Sequence, residues 1–252
     1  MSGTEPSLEP GSEGPTVQGV PWTGRDTLLA MISGVALTVV FIVLAVVVAV
    51  ATGRGEPRDL AGPGWVAGLT VALYLALCIT VWYFALRKHR APWSAIGLRP
   101  ATAGQMLAMI PLGIGVLIVN LVVVALLSLI FTDVSGVQQE AFAPGGSMST
   151  QQYLLLLLTV AVVAPIAEEF IFRGMLFGYL RGKMRVAMAI ALSSFVFALA
   201  HLLPMLVAPL FFVGVVLAVV VERTGSLYPA MFLHAVNNGF ALTAIYLASN
   251  RV

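Results

Sequence analysis

Charge is what this sequence has least of. Only 10% of its 252 residues are Asp, Glu, Lys or Arg, against about 25% in soluble globular domains, and the mean hydropathy is +0.99. That is too little charge to clothe a soluble domain, so the composition excludes one. The net charge of +2 is too small, and the basic residues too confined to loops, to point to nucleic acid. A single cysteine, Cys78, excludes an intramolecular disulfide. Set in an apolar run, it reads as a small core or lipid-facing side chain and says nothing of redox compartment. Histidine occurs three times, so imidazole chemistry has few places to be.

Long apolar runs are what the chain has in abundance. Stretches of a length that crosses a bilayer, about 20 residues, fall at roughly 28–51, 64–86, 104–132, 153–180, 186–203, 205–221 and 228–248. The expectation is an all-α polytopic membrane protein of about seven transmembrane helices, with the lipid bilayer as its surroundings. Residues 1–24, rich in Gly, Pro, Ser and Glu, read as a disordered tail. They lack the pattern of a secretory signal. Residues 25–150 read as N-terminal helices and 151–248 as a second membrane region. The fifth and sixth runs are separated only by Leu203-Pro204, which makes either a tight hairpin or one broken element. Gly113 and Gly115 read as places of close helix packing.

Lys and Arg in the loops give an orientation. With the N-terminus inside, the cytoplasmic side carries Arg25, Arg87, Lys88, Arg90, Arg99, Arg181, Lys183, Arg185 and Arg223. The other side carries Arg54, Arg58 and Arg251. Seven spans then place the C-terminus and the 133–152 loop outside, with Gly145-Gly146-Ser147 as flexible linker. The bacterial look of so compact a chain suggests the cytoplasmic membrane.

Ionisable groups inside the runs stand out against this background. Glu168, Glu169 and Arg173 lie within the fourth, where a charge costs a few kcal/mol and usually has a partner or a task. Glu169 and Arg173 are four apart, share a helical face and have the Glu N-terminal, which suits an ion pair. Glu168 points about 100° away. The spacing suggests Glu169 held by Arg173 and Glu168 left to do chemistry, with Pro165 kinking the helix just before them. His201 follows Phe197 by four residues, and Asn238 follows His234 by four, each pair on one face. His89, in Arg87-Lys88-His89-Arg90, reads as part of a solvated basic loop. Hydrogen-bonding need would draw Glu168, Glu169, Arg173, His201, His234 and Asn238 into one wet pocket. A Glu, two His and an Asn suit hydrolysis by activated water, since a buried carboxylate is a useful general base and imidazoles orient water or donate to an oxyanion.

The ordered set Glu168-Glu169-x-x-x-Arg173, Phe197-x-x-x-His201 and His234-x-x-x-Asn238 resembles the three-motif signature of the CAAX protease and bacteriocin-processing family of intramembrane endopeptidases. The approach Glu222-Arg223-Thr224-Gly225-Ser226-Leu227-Tyr228-Pro229-Ala230 is also similar to that family's. The resemblance covers 168–238, and the first three runs show no usable motif. It implies a helical bundle around the site, with Glu168 as general base on the attacking water and His201 holding that water. His234 and Asn238 would stabilise the oxyanion, and Glu169, Arg173 and Phe197 would support them. A divalent metal such as zinc on Glu168, His201 and His234 is chemically reasonable, and so is a metal-free glutamate mechanism, since Asn is an unusual zinc ligand. The substrate would be a peptide or membrane protein, prenylated or not.

Other intramembrane protease signatures are missing: no His-Glu-x-x-His, no Gly-x-Gly-Asp, no Gly-x-Ser-Gly. A proton-coupled transporter would also use buried Glu and His, but the halves show no repeat. A non-catalytic membrane chaperone or immunity protein on the same scaffold is the remaining alternative. Counted by rise per residue, Glu168 comes near mid-bilayer while His201 ends its run near the outer surface. The two positions do not meet neatly on this count.

Overall fold

The computed structural model describes residues 19–53, 63–131, 134, 142 and 147–250. Every regular element among them is helical. In chain order these are α1 (Gly24–Ala51), α2 (Pro63–Val81, continued by a π-helical turn Trp82–Arg87), α3 (Ala103–Ser128) and α4 (Thr150–Arg181). Then come α5 (Val186–Ala200), α6 (Val207–Thr224, led in by a 3₁₀ turn Pro204–Leu206) and α7 (Leu227–Ser249). Six of the seven are long and apolar enough to cross a membrane; α5 is apolar but has 15 residues. The chain is an integral membrane protein. Large apolar side chains stand exposed along α1 and α3, among them Leu28, Ile32, Val39, Ile114, Ile118 and Leu121, as helices bathed in lipid require.

Sequence chemistry sets the helix starts. Thr23 and Asp26, Thr102 and Gln105, and Ser149 and Gln152 each form a reciprocal capping box at the heads of α1, α3 and α4. The first expected run therefore begins at Gly24 rather than 28. The reading of 1–24 as a disordered tail needs a correction as well. Residues 1–18 lie outside the described residues, but Trp22 is buried and its indole N–H donates to the Met175 carbonyl at 3.1 Å. A bulky aromatic that can bury its ring and satisfy its N–H orders the segment leading into α1. The linker glycines at 145–146 and most of the 133–152 loop fall outside the described residues.

The loop after α2 is not simply solvated. Asp26, buried at the head of α1, receives Lys88 Nζ and lies 3.0 Å from His89 Nε2. His89 thus belongs to a polar pin that ties α1 to the end of α2. Beyond it, the 3₁₀ turn Trp93–Ile96 tucks under the bundle. Ser226 Oγ donates to the Arg99 carbonyl at 2.7 Å, and Leu227 N donates to the Gly97 carbonyl at 2.8 Å, which joins this turn to the start of α7. Trp22, Val81, Leu86, Ile96, Ile171, Met175 and Phe197 share one buried cluster above that floor.

The α5–α6 connection is a tight hairpin. At about 1.5 Å per residue α5 is about 22 Å long, short of a hydrocarbon core of about 30 Å. Measured from the turn that joins α4 to α5, Glu168 and His201 both stand about 20 Å along their helices. The apparent mismatch in depth came from extending the fifth run to 203. In the structure α5 stops at Ala200, with His201 as its cap.

Close packing of this hairpin rests on Gly214, where an added Cβ would lie 2.9 Å from Ser194 Cβ and 3.2 Å from Phe197 Cδ1. Overpacking of this kind costs about 1–3 kcal/mol. Gly214→Ala is expected to destabilise detergent-solubilised protein by an amount in that range and so to lower its thermal unfolding midpoint. An unchanged midpoint would contradict the tight α5–α6 contact.

Candidate active site

Helix α4 carries the centre of the site, and its backbone is irregular there. It runs as α-helix to Leu158, widens to π-helix over Thr159–Val163, returns to α over Ala164–Glu168, and widens again over Glu169–Phe177. Pro165 supplies the reason for the first widening to matter. The Ala164 N–H bonds back five residues to the Thr159 carbonyl, and the next bond of that ladder would need an N–H at 165, which proline lacks. The Val160 carbonyl is the group left over, and Asn238 Nδ2 donates to it at 3.1 Å. A buried carbonyl without a partner is costly, so a side chain from α7 takes the place of the missing donor.

Glu169 lies at the heart of a buried network. It is fully buried, and Arg173 is 2% exposed. Arg173 Nη1 donates to Glu169 Oε1 at 2.9 Å, and His234 Nδ1 meets the same oxygen at 2.9 Å. Arg173 Nη2 also donates to the Gly214 carbonyl at 3.2 Å, and its guanidinium carbon stacks 4.2 Å over the Phe197 ring. Phe197 in turn meets His201 and His234 edge to face, with ring centroids 4.8 Å and 5.7 Å apart. Such a guanidinium–aromatic contact gains strength when desolvated.

Glu168 faces the other way, into a different company. Its Oε1 accepts from the Tyr74 hydroxyl at 2.9 Å. Its Oε2 is buried and makes no hydrogen bond among the described residues. That oxygen faces His234 Nε2 at 3.6 Å and His201 Nε2 at 4.0 Å. The other nitrogen of each ring fixes its direction. His201 Nδ1 lies 2.9 Å from the Phe197 carbonyl, which can only accept, so this nitrogen carries the proton. His234 Nδ1 faces a carboxylate and donates in the same way. Each neutral ring then turns an Nε2 lone pair toward Glu168 Oε2. Three acceptor atoms converge on one spot, and they need a hydrogen donor between them.

The structure thus brings Glu168, Glu169, Arg173, Phe197, His201 and His234 together, and Asn238 donates to the Val160 carbonyl. Asn238 also accepts from Asn237 Nδ2 at 3.4 Å. The four-residue spacing put His234 and Asn238 on one face, but the carbonyl orphaned by Pro165 claims the Asn238 amide. Among the described residues no group of three or more His, Cys, Asp or Glu side chains is disposed to hold a metal ion. No step below runs through a metal ion. Sequence reasoning missed Tyr74, in α2. Its only signal is a hydroxyl in the middle of an apolar run, which must find a partner somewhere.

Fold and site together define a polytopic membrane protein with a buried carboxylate–imidazole centre. Residues 150–240 match the family described as Type II CAAX prenyl endopeptidase Rce1-like. The chain is also 28% identical over 169 residues to the membrane-embedded CAAX protease MroQ of Staphylococcus aureus (strain USA300). That alignment takes in 62% of this chain and 58% of the relative, so it spans less than two thirds of the relative's length. In its motifs and in these matches, the chain is similar to the CAAX protease and bacteriocin-processing family. No solved structure matches it.

Removing one partner of a buried ion pair strands the other and costs about 3–5 kcal/mol. Arg173→Met is expected to destabilise the protein by that much in thermal or denaturant unfolding. Arg181 pairs with Glu222 at 3.0 Å at the partly exposed end of α4, and Arg181→Met should cost about 1 kcal/mol or less. Equal losses in the two variants would contradict the assignment of Arg173 to the buried network.

Proposed function

We propose that this protein is an intramembrane endopeptidase in which Glu168 activates the attacking water. The observation that carries this reading is the convergence of an unpartnered, buried Glu168 Oε2 with the Nε2 atoms of His201 and His234. At 3.6 Å and 4.0 Å these atoms are too far apart for direct hydrogen bonds and at a spacing that a bridging water suits. A water molecule there donates to two of the three facing acceptors.

In the proposed reaction, Glu168 Oε2 takes a proton from this water as its oxygen bonds to the scissile carbonyl carbon. His201 holds the water in line. His234, fixed by Glu169 through Nδ1, lines the other side of the water. Asn238 keeps one amide hydrogen free of Val160 for the oxyanion. When the C–N bond breaks, the proton on Glu168 passes to the leaving nitrogen and the carboxylate is restored. Glu169 and Arg173 hold His234 and Phe197 in place.

The proposed substrate is a peptide or the tail of a membrane protein, entering beside the short α5–α6 hairpin. The proposed location is a bacterial cytoplasmic membrane with the N-terminus inside. The excess of Lys and Arg at the ends that include Arg25, Arg87, Lys88, Arg181 and Lys183 supports it.

The test is cleavage of an internally quenched peptide library, farnesylated and unmodified members side by side, by the full chain in proteoliposomes. Glu168→Gln is expected to lower kcat by about 10²–10⁴-fold. A strong chelator is expected to leave the wild-type rate unchanged. Full activity of folded Glu168→Gln would overturn the reading. Loss of activity with chelator, restored by zinc, would replace glutamate-only chemistry with a metal centre.

A further inference from the structure

Glu168 has two oxygens, and only one of them is available to face water. Oε1 accepts from the Tyr74 hydroxyl at 2.9 Å, while Oε2 faces the two imidazoles. Tyr74 comes from α2, 94 residues from Glu168 in sequence and outside the 150–240 stretch that matches the family. A carboxylate free to rotate about its last torsion, which is soft and two-fold, could present either oxygen. A hydrogen bond to one oxygen breaks that equivalence. Among the described residues no Lys or Arg does the same job for Glu168: Arg173 is committed to Glu169, the Gly214 carbonyl and Phe197.

We propose that Tyr74 is a positioning residue for the reaction: its hydroxyl clamps Glu168 Oε1, so that Oε2 alone is directed at the water between His201 and His234. This rests on the reading of Glu168 as general base. It gives the N-terminal helices a part in the site, because the clamp fails if α2 does not pack against α4. It also accounts for a phenol in a lipid-facing segment, where an unpartnered hydroxyl would be a cost without return.

The experiment compares wild type, Tyr74→Phe and Glu168→Gln, each as full chain in proteoliposomes. Two readouts are taken: cleavage of the quenched peptide library, and the Glu168 carboxyl band in the infrared difference spectrum, defined as the band lost in Glu168→Gln. Tyr74→Phe keeps the ring and removes only the oxygen. A hydrogen bond to a charged group is worth enough that its loss should lower kcat by about tenfold or more, with KM within about twofold and the melting temperature unchanged. The Glu168 band should shift, which a merely structural role for Tyr74 would not produce. A folded Tyr74→Phe with wild-type kcat and an unmoved band would overturn the clamp while leaving the general-base reading intact, provided Glu168→Gln is inactive. If Glu168→Gln cleaves normally, the general-base reading fails on its own, and the infrared band alone decides whether Tyr74 holds Glu168.

Discussion

The site depends on one buried ion pair. Glu169 and Arg173 lie a turn apart on α4, both out of contact with solvent and lipid. Neither charge is tolerable there alone, and the pair is not closed on itself. Arg173 reaches across to the Gly214 carbonyl of α6 and stacks on Phe197 of α5, while Glu169 takes the His234 Nδ1 of α7. Four helices are thereby indexed to one another through two side chains. The proposed role of Glu168 rests on this arrangement: with Arg173 spent on Glu169, no Lys or Arg among the described residues pairs with Glu168, and its second oxygen faces the two imidazoles.

Helix irregularity does comparable work on the other side of the site. Wide turns in α4 free backbone groups that a regular helix would consume. Trp22 takes the carbonyl of Met175 and Asn238 takes that of Val160. Pro165 therefore does more than bend the chain: it leaves an acceptor that fixes the rotation of α7. Irregular backbone is tolerable at membrane depth only where protein groups satisfy it, and here those groups come from the N-terminal segment and from α7.

Much of this was legible in the chain, and the limits have physical causes. Apolar runs mark six long helices, because the bilayer imposes one length on all of them. The short α5 was overextended to 203, since Leu202 and Leu203 are as apolar as the helix they follow and only the His201 cap ends it. The pairing of Glu169 with Arg173 could be read from spacing alone, since it is made within one helix. Tyr74 could not be, because its partner is brought to it by the packing of α2 on α4. The bond of Asn238 to Val160 escaped the sequence for a related reason: spacing gives the face of a helix, but not which orphaned carbonyl on a neighbouring helix will claim an amide.

The central claim is a division of labour between adjacent carboxylates, one structural and one reactive. Thermal unfolding of Glu168→Gln and Glu169→Gln in the same detergent tests it most directly. Removing the charge of Glu168, which lacks a cationic partner, should leave the midpoint unchanged or raise it, as happens where a reactive group is held at some cost to the fold. Removing the charge of Glu169 strands Arg173 and should cost about 3–5 kcal/mol. The reverse order, with Glu168→Gln unfolding early and Glu169→Gln unaffected, would contradict the account.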